Sequence, residues 1–216
     1  MCSVAIPGGR NLGIPREIAV PRIMSEAERI FGRHGFAGAS MVEIARASQL
    51  PKANVHYYFG TKEALYRAVL ENTLSGWLAD ARHWLSPHRT ASEGLRGYIA
   101  AKLAFSRDHA DASKLFAHEI LRGGEHVHTY LTTTLRMHVD LIGETLAIWA
   151  GRGEIRAVDP PYFIFSLWAM TQFYADMNSQ ITAVLNGEVD FDRATGTILG
   201  LLLHGESPER LDATSK

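Results

Sequence analysis

A chain of 216 residues, 46% hydrophobic and 21% charged, is too apolar to stay disordered and long enough to bury one small and one larger core. Its net charge of −1 argues against a uniformly basic architectural nucleic-acid binder, and a single cysteine, Cys2, excludes a disulfide framework or a thiolate metal site and points to a reducing cytoplasm. No apolar run reaches the roughly 18 residues of a membrane-spanning helix, and residues 1–14 lack the apolar stretch of a secretory leader, so a soluble cytoplasmic protein is expected, with no membrane partner.

Residues 1–14, with Pro7-Gly8-Gly9, read as a flexible tail. The first helix is expected from Pro21, because a proline seven residues into a helix begun at Pro15 would kink it; Ile23, Ala27, Ile30 and Phe31 form its buried stripe. Residues 40–66, SMVEIARASQLPKANVHYYFGTKEALY, then pack a short capped helix, a tight turn, a second short helix and the start of a third. Ser40 and Glu43 form a capping-box pair ahead of Met41, Ile44 and Ala45, and the turn falls at Ala47 to Leu50. Pro51 opens the next helix, where a missing N–H costs nothing. Val55, Tyr58 and Phe59 make its inward face and leave Lys52, Ala53, Asn54, His56 and Tyr57 pointing out. Gly60 ends that helix and Thr61 caps the following one, which runs into the low eighties and links the two parts of the chain.

Further helices are expected over Thr90 to Asp108, Ala112 to Arg122 and Glu125 to Ala150, punctuated by Pro87, Gly123-Gly124 and Gly151-Arg152-Gly153. Asp159-Pro160-Pro161 starts an aromatic-rich helix through about Leu185, and a last helix runs from about Asp190 to His204-Gly205. No segment alternates as a strand would, so the fold class is all-α: a three-helix head over residues 15–66 and a helical body over 67–216, about nine helices in total. Charge follows that division. Residues 1–66 carry eight Lys/Arg against five Asp/Glu, residues 67–216 fourteen against eighteen, and the basic end is the one suited to DNA.

At residues 22–66 the chain resembles the TetR family of bacterial transcriptional repressors: Gly35-Phe36, Gly38, Ile44-Ala45, Tyr58-Phe59 and Lys62-Glu63-Ala64-Leu65 fall in that family's order. Gln49 stands where the family usually carries the turn glycine, Pro51 where it carries a serine cap, and His56 where it carries tyrosine. The resemblance implies a repressor whose second short helix enters the major groove. Asn54 suits a paired hydrogen bond to adenine, Lys52 a guanine or phosphate, and His56 and Tyr57 a phosphate or thymine methyl. Lys62 would hold the DNA backbone, and Ser40, Met41 and Ala53 complete the candidate contact set.

The last two helices are apolar on more than one face, which fits either a single monomer core or a homodimer joined by a four-helix bundle, as the family implies. Phe173, Ile181, Leu185, Gly196, Ile198, Leu201 and Leu202 are the candidate interface, and a two-fold dimer would want a palindromic operator of double-stranded DNA. Within residues 40–185, KLAFSRDHADASKLFAHEIL, AVDPPYFIFSLWAMTQFYADMNSQI and the Trp77-Leu78 pair are similar to the branch of pyrimidine-utilisation regulators, which implies a small-molecule effector such as uracil or thymine. Trp77, Trp168, Gln172 and Tyr174 supply aromatic faces and an amide for an imide edge, with Trp168 and Gln172 one helical turn apart; Phe105, His118 and Glu119 are further candidates, and core packing is the alternative for each. An unrelated aromatic or hydrophobic metabolite is the other effector class.

A metal-dependent enzyme is the contrasting reading, prompted by His118, Glu119, His126 and His128. On a helix His126 and His128 would point about 200° apart and could not share an ion. No nucleophile-and-base signature, phosphate-binding loop or cofactor motif appears, so no cofactor and no catalysis are expected.

Overall fold

The computed structural model describes residues 14–203, all helix and connecting loop with no strand among them. The tail expected before residue 14, Cys2 within it, and the end of the last helix at His204-Gly205 lie outside the described residues.

The first helix, α1 (Arg16–Gly38), begins five residues before the expected Pro21. The Ile18 and Ala19 amides both donate to the Pro15 carbonyl, at 3.0 and 2.9 Å, and the added turn lays Ala19 onto the stripe of Ile23, Ala27, Ile30 and Phe31. Pro21 is tolerated because it lies on the exposed side, where solvent can take the Glu17 carbonyl that its missing N–H leaves free. Gly35, at φ 66°, ψ 177°, breaks the helical path near its end, a conformation open to glycine alone.

Two short helices follow, α2 (Met41–Ala47) and α3 (Lys52–Phe59), and then α4 (Lys62–Trp84). The Ser40 hydroxyl accepts the Glu43 amide at 3.1 Å, but the Glu43 carboxylate turns 3.7 Å from His34 Nε2, so only half of the expected capping box is made. Phe31, Ile44, Val55 and Leu65 are sealed inside the head, and the same apolar cluster continues through Leu70, Leu74 and Trp77 of α4.

The body contains α5 (Ala91–Asp108), α6 (Ala110–Leu121), a run from Glu125 to Gly151, α9 (Pro160–Asp176), α10 (Asn178–Leu185) and α11 (Phe191–Leu203). The helix expected over Glu125 to Ala150 is composite: a 3₁₀ turn (Glu125–Val127), one α turn, α7 (His128–Tyr130), a π turn (Leu131–Leu135) and α8 (Arg136–Gly151). The long helix expected after Asp159 is two, since Met177 at φ −110°, ψ 26° separates α9 from α10; exposed Asn178 and Ser179 are weak helix formers that no packing holds in line. Helix α5 is the hub, packed on α4, α6, α9 and α11. Gly97 makes this possible, because a Cβ there would collide with the Trp84 ring. Leu95, Tyr98, Ile99, Leu103, Trp149, Ile164 and Leu167 fill this second core. Ile198 joins them at 3% exposure, so its side chain is spent inside the monomer and does not belong to the candidate dimer face.

Candidate DNA-recognition helix and effector pocket

Helix α3 presents Lys52, Ala53, His56 and Tyr57 to solvent, Tyr57 at 82% exposure, with Asn54 half-buried beside them; Val55 faces inward and is fully covered. His56 also closes its own helix: its Nδ1 lies 2.9 Å from the Gly60 carbonyl, which fixes that nitrogen as the donor and leaves Nε2 for an outside partner. The turn before α3 is held by Ser48, whose hydroxyl donates to the Ile44 carbonyl at 2.7 Å, and by Gln49. Gln49 adopts φ 56°, the left-handed conformation that a glycine would take without strain, and its side-chain oxygen accepts from Arg22 at 3.0 Å.

Two candidate contacts do not survive in their expected form. Met41 is buried at 8% exposure in the head core, because the half of α2 that carries Ile44 and Ala45 carries it inward. The Lys62 ammonium donates to the Phe36 and Ala39 carbonyls at 2.9 and 3.1 Å and stands 4.5 Å from the Phe36 ring centroid, so it ties the end of α1 to the start of α4. Ser40 remains exposed at its cap.

Behind the head lies a buried polar cluster. Glu119 of α6, 4% exposed, accepts from the Tyr66 hydroxyl at 3.2 Å and from the His126 amide at 2.9 Å, with His126 Nδ1 at 3.1 Å. The Tyr66 phenol is pushed well above its usual range by burial and then by the Glu119 charge. The Phe36, Tyr66 and His126 rings meet in tilted and edge-on contacts at centroid distances of 4.9 to 5.1 Å, beside the carboxylate that joins α4 to α6. The histidine cluster therefore divides: His126 pairs with Glu119, whereas His118 and His128 are exposed, and among the described residues no group of three or more His, Cys, Asp or Glu could hold a metal ion.

The effector candidates gather around α5. Trp77 packs edge-on against Phe105 at 5.6 Å and Phe116 at 5.0 Å, and its indole N–H is buried without a hydrogen-bond partner. The Lys102 nitrogen lies 3.6 Å from the Trp77 ring centroid and 3.5 Å from Gln172 Oε1, while Gln172 Nε2 donates to Asp176 at 3.0 Å. Burial pulls the Lys102 ammonium down to about 7 against the pull of Asp176 and Asp80, and burial raises the Asp176 carboxyl. One turn earlier on α5 the Tyr98 hydroxyl accepts from Trp168 Nε1 at 3.0 Å. Trp77, Phe105, Gln172 and, through Tyr98, Trp168 are thus brought together; Tyr174 packs into the second core and His118 is exposed. Lys102, Phe116, Tyr98 and Asp176 are additions. The signal for Lys102 was legible, a lysine falling on the apolar stripe of Leu95, Tyr98, Ile99 and Leu103 at helical spacing.

On the last helices Tyr162, Phe165, Phe173, Leu185 and Leu201 are exposed, from 45% at Phe173 to 71% at Leu201, and Gly196 is exposed as well. Ile181 and Leu202 are half-buried. No helix among the described residues is long and apolar enough to cross a membrane.

Residues 23–69 match the family described as bacterial regulatory proteins, tetR family, and residues 70–209 the one described as YcdC-like protein, C-terminal region. The chain is similar to the HTH-type transcriptional regulator RutR of Escherichia coli K12, with 35% identity over 190 residues, 86% of this chain and 89% of the relative. Among solved structures it resembles a TetR-like regulator from Rhodococcus sp. RHA1, at TM-score 0.67 and 20% identity over 87% and 95% of the two chains. It also resembles FadR from Bacillus subtilis in complex with stearoyl-CoA, at TM-score 0.69 and 15% identity over 87% and 100%. The last two speak for the fold alone. With a helix-turn-helix head whose recognition helix stands free, a helical body behind it, and both parts matched in sequence, the chain belongs to the TetR family of DNA-binding bacterial regulators, on its RutR-like branch.

Proposed function

We propose that this protein is a cytoplasmic repressor that binds a palindromic operator as a homodimer and leaves it when a pyrimidine base, uracil or thymine, enters the body. Residues 15–66 form the DNA-binding head and residues 67–216 the effector-binding and dimerisation body. The observation that carries the reading is the buried, unpartnered Trp77 N–H beside the buried Lys102 amine and the Gln172 amide. An unmade hydrogen bond in a closed site is a cost that a ligand acceptor removes. A flat base presents carbonyl oxygens to Trp77 and Lys102, an imide edge that Gln172 can meet as donor and acceptor, and a ring face for Phe105 or Phe116.

The apolar face of Phe173, Leu185 and Leu201 supports pairing with a second copy, which would set two recognition helices about 34 to 36 Å apart. Coupling runs along α6. Phe116 touches Trp77, and Glu119, one turn further on, holds Tyr66 and His126 against the head. A base ordered against Phe116 repositions α6 and with it the Glu119 cluster, and it shifts the population of head orientations only by its differential affinity for them.

The test is thermal melting with a panel of nucleobases and small aromatic metabolites, followed by operator binding with the active compound. A base at a hundred times its dissociation constant should add about 2.7 kcal/mol. A shift confined to uracil or thymine, lost in Gln172→Ala, is expected. A shift with other compounds only removes the pyrimidine assignment, and uniform binding to unrelated DNA removes the operator.

A further inference from the structure

We propose that a second small-molecule site lies between α4 and α8, about one turn beyond Trp77 along α4 and lined by neither Trp77 nor Lys102, and that it takes a small aliphatic monocarboxylate. A cleft of about 230 Å³ opens between the last turn of α4, the loop after it and the first three turns of α8. Its walls include Leu85, Leu141, Ile142 and Ile148, and His138 lines it as well.

His138 is 4% exposed, and neither ring nitrogen has a hydrogen-bond partner. A buried imidazole with both nitrogens idle is uncommon in a folded chain and marks a place where an outside partner lowers the free energy. Burial, and then the neighbouring Arg82, hold this imidazole below its usual basicity, so it offers a neutral N–H. Arg82 lines the same cleft, is itself exposed, and makes no ion pair with any described residue.

The chemistry of the ligand follows from these walls. A carboxylate accepts from the Arg82 guanidinium and from one His138 N–H, forming charge-assisted bonds that neither group makes now. Glu144, also exposed at the rim, opposes a second negative group, which favours one carboxylate over a diacid. Apart from Ser86 and Thr145 the rest of the lining is aliphatic, with no Phe, Tyr or Trp ring to stack on, so the body of the ligand is a chain. A cavity of about 150 Å³ accommodates benzene, so this one suits a molecule of hexanoate size. Because Ala81 and Arg82 belong to the helix that begins under the head, an occupant restrains its far end.

Sodium hexanoate is the probe, titrated into the full-length protein without DNA, with the imidazole nitrogen resonances of His138 and the melting temperature as readouts. Saturable movement of both is expected, with hexanol and hexylamine binding at least roughly tenfold more weakly, the scale of one lost charge-assisted hydrogen bond. Arg82→Gln should weaken hexanoate by a similar factor, and Leu141→Trp, at a half-exposed position where the larger ring fills the cleft without disturbing the core, should abolish it. Gln172→Ala should leave it intact. Absence of hexanoate binding, its survival in both cleft variants, or equal binding of hexanol would overturn the proposal. The nucleobase response is read separately, so either site can fail alone.

Discussion

The nitrogen of Lys102 stands 3.6 Å from the centre of the Trp77 ring, with the two side chains 4% and 8% exposed. Burial lowers the folded pKa to about 7, whereas the unfolded chain keeps the ordinary 10.5. Between those values the unfolded state binds more protons, so stability rises with pH across this interval and is lowest at its acid end. Lys102→Met removes the dependence. The variant should be the more stable protein by a few kcal/mol at about pH 7, with the difference shrinking toward pH 10, discounted by the ring contact and by Asp176. Urea denaturation at both pH values checks this, and a difference independent of pH would show that the amine is charged in the fold.

Tyr66 and Glu119 join α4 to α6 through one hydrogen bond of 3.2 Å inside the protein. Tyr66→Phe should cost about 1.5 to 3 kcal/mol of stability, the range for a bond to a charged group. Glu119→Gln keeps the shape but removes the charge that holds Tyr66 and His126. In that variant the operator affinities measured by fluorescence anisotropy with and without effector should converge, while effector binding itself persists.

On α3, Asn54 and Lys52 should separate by what they read. Asn54→Ala is expected to lose about 1 to 3 kcal/mol at the operator and little on random DNA, whereas Lys52→Ala weakens both alike and lowers the salt slope by about one per chain. Lys62→Ala should behave differently from either, lowering the melting temperature, because its ammonium is bound to the Phe36 and Ala39 carbonyls.

Gln49 holds φ 56° in the turn that aims α3. A left-handed residue other than glycine carries roughly 1 to 2 kcal/mol of strain, and glycine returns part of that gain through the entropy of the unfolded chain. Gln49→Gly should therefore raise stability by less than about 1 kcal/mol after the loss of the Arg22 bond, while Gln49→Val should lower it. Differential scanning calorimetry resolves both signs.

The head was legible because local signals agree there. Thr61 accepts the Ala64 amide at 3.1 Å as its position before Lys62 implied, and Val55 is sealed inward at the spacing that left Tyr57 outside. For Lys62, sequence alone places its charge at a helix start but not the Phe36 and Ala39 carbonyls beside it. Met41 falls on the buried stripe of Ile44 and Ala45 that periodicity implies, although its motif position made it a DNA-contact candidate, and Ile198 likewise continues a buried stripe. Pro21 misled for the opposite reason, since a proline on an exposed side costs little when Ala19 gains a buried place.

Periodicity, caps and turn residues are properties of neighbours along the chain, and by themselves they determined an all-α protein, its helix-turn-helix and the exposed face of its recognition helix. Only the tertiary structure decided which polar groups end up facing one another across helices. The Lys102 amine over Trp77, the Glu119 carboxylate between Tyr66 and His126, and the idle imidazole of His138 each depend on residues at least 7 and mostly far more positions apart, brought together by packing that no local spacing encodes.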